Sequence, residues 1–110
     1  MVDGLWTIEF ISTISRVGAG VIVLRDNRLL GGDNGYYYTG QYSLTNGTII
    51  GSADITRFNP LIISVFGDID HFSLTFKGKL SEDDTIEGTA NLEGMPEMRI
   101  QIRCKKKEDF

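Results

Sequence analysis

Residues 31–40 read GGDNGYYYTG, and the fold turns on whether Gly31-Gly32-Asp33-Asn34-Gly35 cradles a phosphate or makes a turn. A phosphate loop of the Walker kind runs Gly-x-x-x-x-Gly-Lys-Ser/Thr between a strand and a helix, with the lysine meeting the phosphates. Here Tyr36, Tyr37 and Tyr38 follow the glycines, and the next residues alternate with period two. No Gly-x-Gly-x-x-Gly opens a helix either. The stretch is therefore a turn, with Gly31 and Gly32 ending one strand and Tyr36, Tyr38, Gly40 and Tyr42 sharing one face of the next.

The same alternation extends in both directions. Trp6, Ile8 and Phe10 oppose Leu5, Thr7 and Glu9. Val17–Arg25 is rich in β-branched residues and is followed by Asp26-Asn27, a pair suited to positive φ. Asn46-Gly47 is the strongest hairpin signal, and Thr48–Arg57 places Ile49, Gly51, Ala53 and Ile55 together. From Asp70 onward, Phe72, Leu74 and Phe76 face one way. Ile86, Gly88, Ala90 and Leu92 repeat the pattern, as do Met98, Ile100, Ile102 and Cys104. Only residues 60–67, within FNPLIISVFGD, break it; they predict a short helix or an irregular crossover. Residues 106–110 predict a polar, frayed tail. About eight short strands joined by tight turns give an all-β, eight-stranded antiparallel up-and-down barrel spanning residues 1–110 as one domain. Glycines and alanines share the inner faces with Phe10, Tyr38, Tyr42, Phe72 and Phe76. Two readings follow: small residues make room for large ones in a filled core, or they leave a lipocalin-like cavity.

Composition narrows the function classes. The 110 residues carry a net charge of −4, which disfavours nucleic acid as the main partner because phosphate contacts need excess Lys and Arg. The single cysteine, Cys104, allows no internal disulfide and favours a reducing compartment. The N-terminus shows no signal-peptide pattern, and no run reaches the roughly 18 apolar residues of a membrane helix. A cytoplasmic protein is expected, with no membrane partner.

Catalytic and cofactor signals are weak. Asp68, Asp70 and His71 lie close together, but the chain has one histidine, and the calcium-loop spacing is missing; a capping turn is the better reading. No serine has a visible base beyond His71. Cys104 alternates with Ile100 and Ile102 and reads as a buried thiol. No enzyme, cofactor or metal is expected. Glu82, Asp83 and Asp84, with Glu87 just beyond, read as either a solvated hairpin tip or a docking patch for a basic partner. Val21, Ile22, Val23 and Leu24 are apolar on both faces of their strand. One pair, Val21 with Val23 or Ile22 with Leu24, therefore faces outward and needs covering, for which a subunit interface is suited.

In order along the chain, DGLWTIEF, GAGVIVL, LLGGD, YYYTGQY, NGTI, FSLTFKGKL and IEGTA resemble the GrlR-like family, from Asp3 to about Arg103. The resemblance implies a lipocalin-like barrel that dimerises. It also implies a negative regulator of bacterial type III secretion that acts by binding a transcriptional activator, without reading DNA itself. The family's acidic Glu-Asp-Glu-Asp motif sits in the hairpin that here reads Leu44-Thr45-Asn46-Gly47, so that site does not carry over; Glu82–Asp84 lie in a different hairpin. A second expectation, independent of the first, is a small hydrophobic ligand bound in an interior lined by Trp6, Phe10, Tyr38, Tyr42, Phe72, Leu74 and Phe76.

Overall fold

The computed structural model describes residues 2–110. Strands β1 (Gly4–Ser12), β2 (Val17–Arg25), β3 (Arg28–Gly32), β4 (Tyr36–Thr45), β5 (Thr48–Arg57), β6 (His71–Leu80), β7 (Thr85–Leu92) and β8 (Met95–Asp109) pair antiparallel in chain order. β8 returns to β1 and closes an up-and-down, lipocalin-like barrel, with no helix among the described residues. The two-residue turns adopt the left-handed backbone their residues favour: Asp26 and Asn27 have φ of 50° and 67°, and Asn46 and Gly47 have 52° and 78°.

The alternation sorts inside from outside as expected. Tyr36, Tyr38 and Tyr42 are buried, whereas Tyr37 between them is 47% exposed. Gly40 lies where β4 presses on β5: a Cβ there would sit 2.9 Å from the Ala53 Cα, so no larger residue fits without parting the strands.

Up-and-down connectivity gives the barrel two different ends. The termini and the turns at 26–27, 46–47 and 81–84 share one end, which is sealed by Trp6. This ring is fully buried, donates its indole N–H to the Val2 carbonyl at 2.9 Å, and lies 5.7 Å below the Lys106 ammonium. The Tyr42 hydroxyl donates to Asp3 Oδ1 beside it, at 3.2 Å.

The crossover at residues 58–70 covers the other end as irregular chain, the second of the two forms expected for this segment. Its Ile62, Val65, Phe66 and Ile69 pack on the core. Arg57 pins it: Nη2 donates to Asp68 at 2.6 Å, Nε to Asp70 at 3.0 Å and Nη1 to the Ile62 carbonyl at 3.0 Å. The GDIDH carboxylates thus serve as anchors for the crossover, and His71 Nδ1 lies 3.0 Å from the Thr56 hydroxyl.

One expectation is corrected. Residues 106–109 form strand rather than a frayed tail, with Asp109 opposite Gly4, Glu108 opposite Leu5 and Lys106 opposite Trp6; Lys107 is bulged out of register. Lys106 hides the alternation because a lysine can lay its alkyl stem on an apolar ring while its charge stays paired; here the ammonium meets Asp109 at 2.8 Å. Ending the chain after Lys105 should therefore lower the stability measured in urea by about 2 kcal/mol or more, since several ladder bonds at about 0.5–1.5 kcal/mol each are lost. The Trp6 emission should shift to the red, and an unchanged midpoint and spectrum would contradict the seam described here.

Candidate binding sites

Inside the barrel, the small residues of the inner face leave space. An apolar cavity of about 190 Å3 runs from the crossover to the level of Ile86 and Cys104. It is bordered by Phe10, Tyr38, Phe72, Leu74 and Phe76 among others, with Ala53 and Ala90 providing room. Of the seven interior residues expected from sequence, these five line it. Trp6 and Tyr42 do not; both belong to the sealed end. The cavity reaches the surface at the crossover end, because Val17 and Ile63 line it and are 73% and 57% exposed.

A short strand makes that opening. β3 has five residues and pairs with Val21–Arg25 only, so the first part of β2, Val17–Gly20, runs past its end. The Asp33–Gly35 turn and the crossover residues Ile62–Ser64 complete the rim. Asp33 is the polar centre of the rim. Its Oδ1 accepts from the Gly35 and Tyr36 amides at 2.8 and 2.9 Å, and its Oδ2 accepts from the Tyr38 hydroxyl. Burial, and next the bond to Asp33, push the Tyr38 pKa far upward, so the ring stays a neutral phenol. Sequence reasoning assigned Asp33 to the turn alone and missed this second role. The available signal was the Asx-turn geometry, which aims one carboxylate oxygen back at the next strand.

On the outer wall, Ile22 and Leu24 are buried in the barrel, so the outward pair of β2 is Val21 with Val23. Register places Val23 between Leu5 and Leu30, and Val21 across from Gly32, which is followed by Tyr37. Leu5, Val21, Leu30 and Tyr37 are all exposed, giving an apolar row over four strands. At the sealed end, Glu82, Asp83 and Asp84 are exposed at the β6–β7 turn, and Asp84 has φ of 58°. Glu87 lies apart from that tip on the wall, 3.7 Å from Arg103.

The chain matches no protein-family model and no curated protein.

Cys104 lines the inner end of the cavity, and burial pushes its thiol up to about 12 from an ordinary 9.0. The folded form therefore holds its proton where the unfolded chain releases it. The resulting stabilisation is complete below pH 9 and is lost as pH rises toward about 12. Near neutral pH a charged disulfide reagent should react with the native thiol at least about tenfold more slowly than with the urea-unfolded chain, because burial lowers the thiolate fraction and blocks access. Comparable rates in the two states would contradict that burial.

Proposed function

We propose that this is a non-enzymatic, cytoplasmic regulatory protein that sequesters a protein partner, in keeping with its resemblance to the GrlR-like regulators of type III secretion. The partner implied is a transcriptional activator. One observation carries the reading: the Leu80 amide donates to the Gly47 carbonyl at 2.8 Å, which sets the Ser81–Asp84 turn beside the Asn46-Gly47 hairpin. That is the hairpin in which the family carries its acidic motif, so the negative charge lies one hairpin along on the same rim. Charge at such a tip speeds and orients encounter with a basic partner. The apolar row of Leu5, Val21, Val23, Leu30 and Tyr37 is the surface we assign to a second copy of the chain. Apart from the short Val17–Gly20 segment at the mouth, the closed barrel offers no strand edge here to extend, so association falls to side chains of the wall. Tagged protein in a native extract should retain a partner that is lost with Glu82→Gln/Asp83→Asn/Asp84→Asn, and sedimentation should give a dimer that Val21→Glu dissociates. A partner held equally by the neutralised turn, or a wild-type monomer at micromolar concentration, would sink the corresponding half.

The cavity favours a second reading, in which the interior binds a small hydrophobic molecule. Apolar cavities of roughly 150 Å3 take up benzene-sized ligands, and this one is slightly larger at about 190 Å3. Toluene should shift the NMR signals of Leu74 and Ile100. Ala90→Leu should abolish the shift while leaving the melting temperature within a few degrees, because the added carbons enter existing space. A large loss of stability would mean a filled core, since overpacking costs about 1–3 kcal/mol.

A further inference from the structure

The polar groups at the cavity mouth specify more than size. A carboxylate is an acceptor only, with about four lone-pair sites, and Asp33 uses three of them, on Gly35, Tyr36 and Tyr38. The Tyr38 hydroxyl spends its one proton on Asp33, so toward the cavity its oxygen is likewise an acceptor. Ser64, the hydroxyl on the facing crossover, donates to the Gly67 carbonyl at 2.7 Å and accepts from the Phe66 amide at 3.1 Å. Its proton is thus also committed. Asn34 stands exposed at the outer edge, adjacent to the Asp33 charge. The wall deeper in is apolar, built from Phe10, Phe72, Phe76 and aliphatic residues. Apart from the exposed Asn34 carboxamide at its outer edge, the side chains of the mouth present unused acceptors and one negative charge at the head of an apolar chamber.

We infer that the interior site selects a molecule with the bulk of one substituted ring and a single hydrogen-bond-donating head, neutral or cationic, that seats the head on Asp33 and the Tyr38 oxygen. Entry is between Val17–Ala19 of β2 and Ile62–Ser64 of the crossover. Carboxylate ligands, fatty acids included, are rejected. Their head would bring a second acceptor and a like charge against Asp33, and seating it would strip water from a charge that no cation there pairs. This inference rests on the interior-binding reading and deepens it.

The test uses the full chain with toluene, 4-methylphenol and benzoate, titrated by NMR. Toluene and 4-methylphenol should bind and benzoate should not. Asp33→Asn, which keeps an oxygen for the Gly35 and Tyr36 amides, should weaken 4-methylphenol about tenfold, the size of one hydrogen bond to a charged group. It should leave toluene unchanged. Tyr38→Phe should also leave toluene unchanged while altering 4-methylphenol, so it checks the head group without disturbing the turn. If Asp33→Asn weakens both probes equally, or benzoate binds as well as 4-methylphenol, the head-group assignment is overturned and the interior reading stands. If neither toluene nor 4-methylphenol binds at saturating concentration, both fall together.

Discussion

Closure of β8 onto β1 is the constraint from which the other features follow. Nine registered positions, Gly4 to Ser12, find partners on β8, so the ring closes, and among β1–β3 only Val17–Gly20 of β2 runs beyond its neighbour. Eight strands at ordinary tilt also fix the interior diameter at about the width that side chains can fill. Once the ring is closed, the inner residues cannot draw the walls together; they can only fill or fail to fill a set volume. Ala53 and Ala90 fill little of it, and the cavity is the remainder. In an open sheet the same small residues would simply have let a facing layer approach.

Closure also makes the two ends compete for a limited supply of large side chains. The sealed end has Trp6, Tyr42 and the Lys106 stem, stacked within a few strands of each other and tied to Val2, Asp3 and Asp109. The other end has a loop instead of a ring. That loop would gain little by burying Ile62 and Phe66 if its backbone could swing away, and Arg57 removes the freedom by holding both the Ile62 carbonyl and the two carboxylates at the loop's far side. With 9% of its side chain exposed, Arg57 works where surface ion pairs usually count for little, because three bonds share one planar group. The mouth is thus held in shape on the crossover side and left uncovered on the β2 side.

Period-two patterning made the barrel readable from sequence, residue by residue, because a pleat leaves only two choices for each side chain. Tyr36, Tyr38 and Tyr42 inside with Tyr37 outside, and Ile100 and Cys104 inside, needed nothing more. Three features required information that pattern does not hold. β8 extends through KKKED because the Lys106 side chain is buried with its ammonium over Trp6 and paired to Asp109, which no polarity scale records. Trp6 and Tyr42 alternate in phase with Phe10 and Tyr38, yet they seal an end instead of lining the chamber, because height along the barrel depends on strand stagger. Ile22 and Leu24 could not be told from Val21 and Val23, since both faces of that strand are apolar and only the pairing with β1 fixes its phase. GGDNGYYYTG was a turn, as its tyrosines required. Its aspartate nevertheless anchors the polar rim of the cavity, where it accepts from Gly35, Tyr36 and Tyr38, so the stretch presents a carboxylate where a phosphate loop would present donors.

The two binding readings occupy opposite ends of a molecule 35 Å long, and the barrel makes them separable by default. A ligand changes partner affinity only if it binds two states of the protein differently. A ring closed at every strand offers few alternative packings between Asp33 and the Ser81–Asp84 turn. The element outside the strand ladder is the crossover, which borders the cavity but lies at the end away from the acidic turn. Occupancy of the chamber is therefore expressed first in the crossover and in the Asp33–Gly35 turn it leans on. β4 leads from that turn toward the Asn46-Gly47 hairpin, and the hairpin touches the acidic turn through Gly47 and Leu80. Coupling of interior to surface therefore has two routes, β4 to the Asn46-Gly47 hairpin and β6 from the crossover to the acidic turn itself, and Gly40 leaves β4 and β5 no slack.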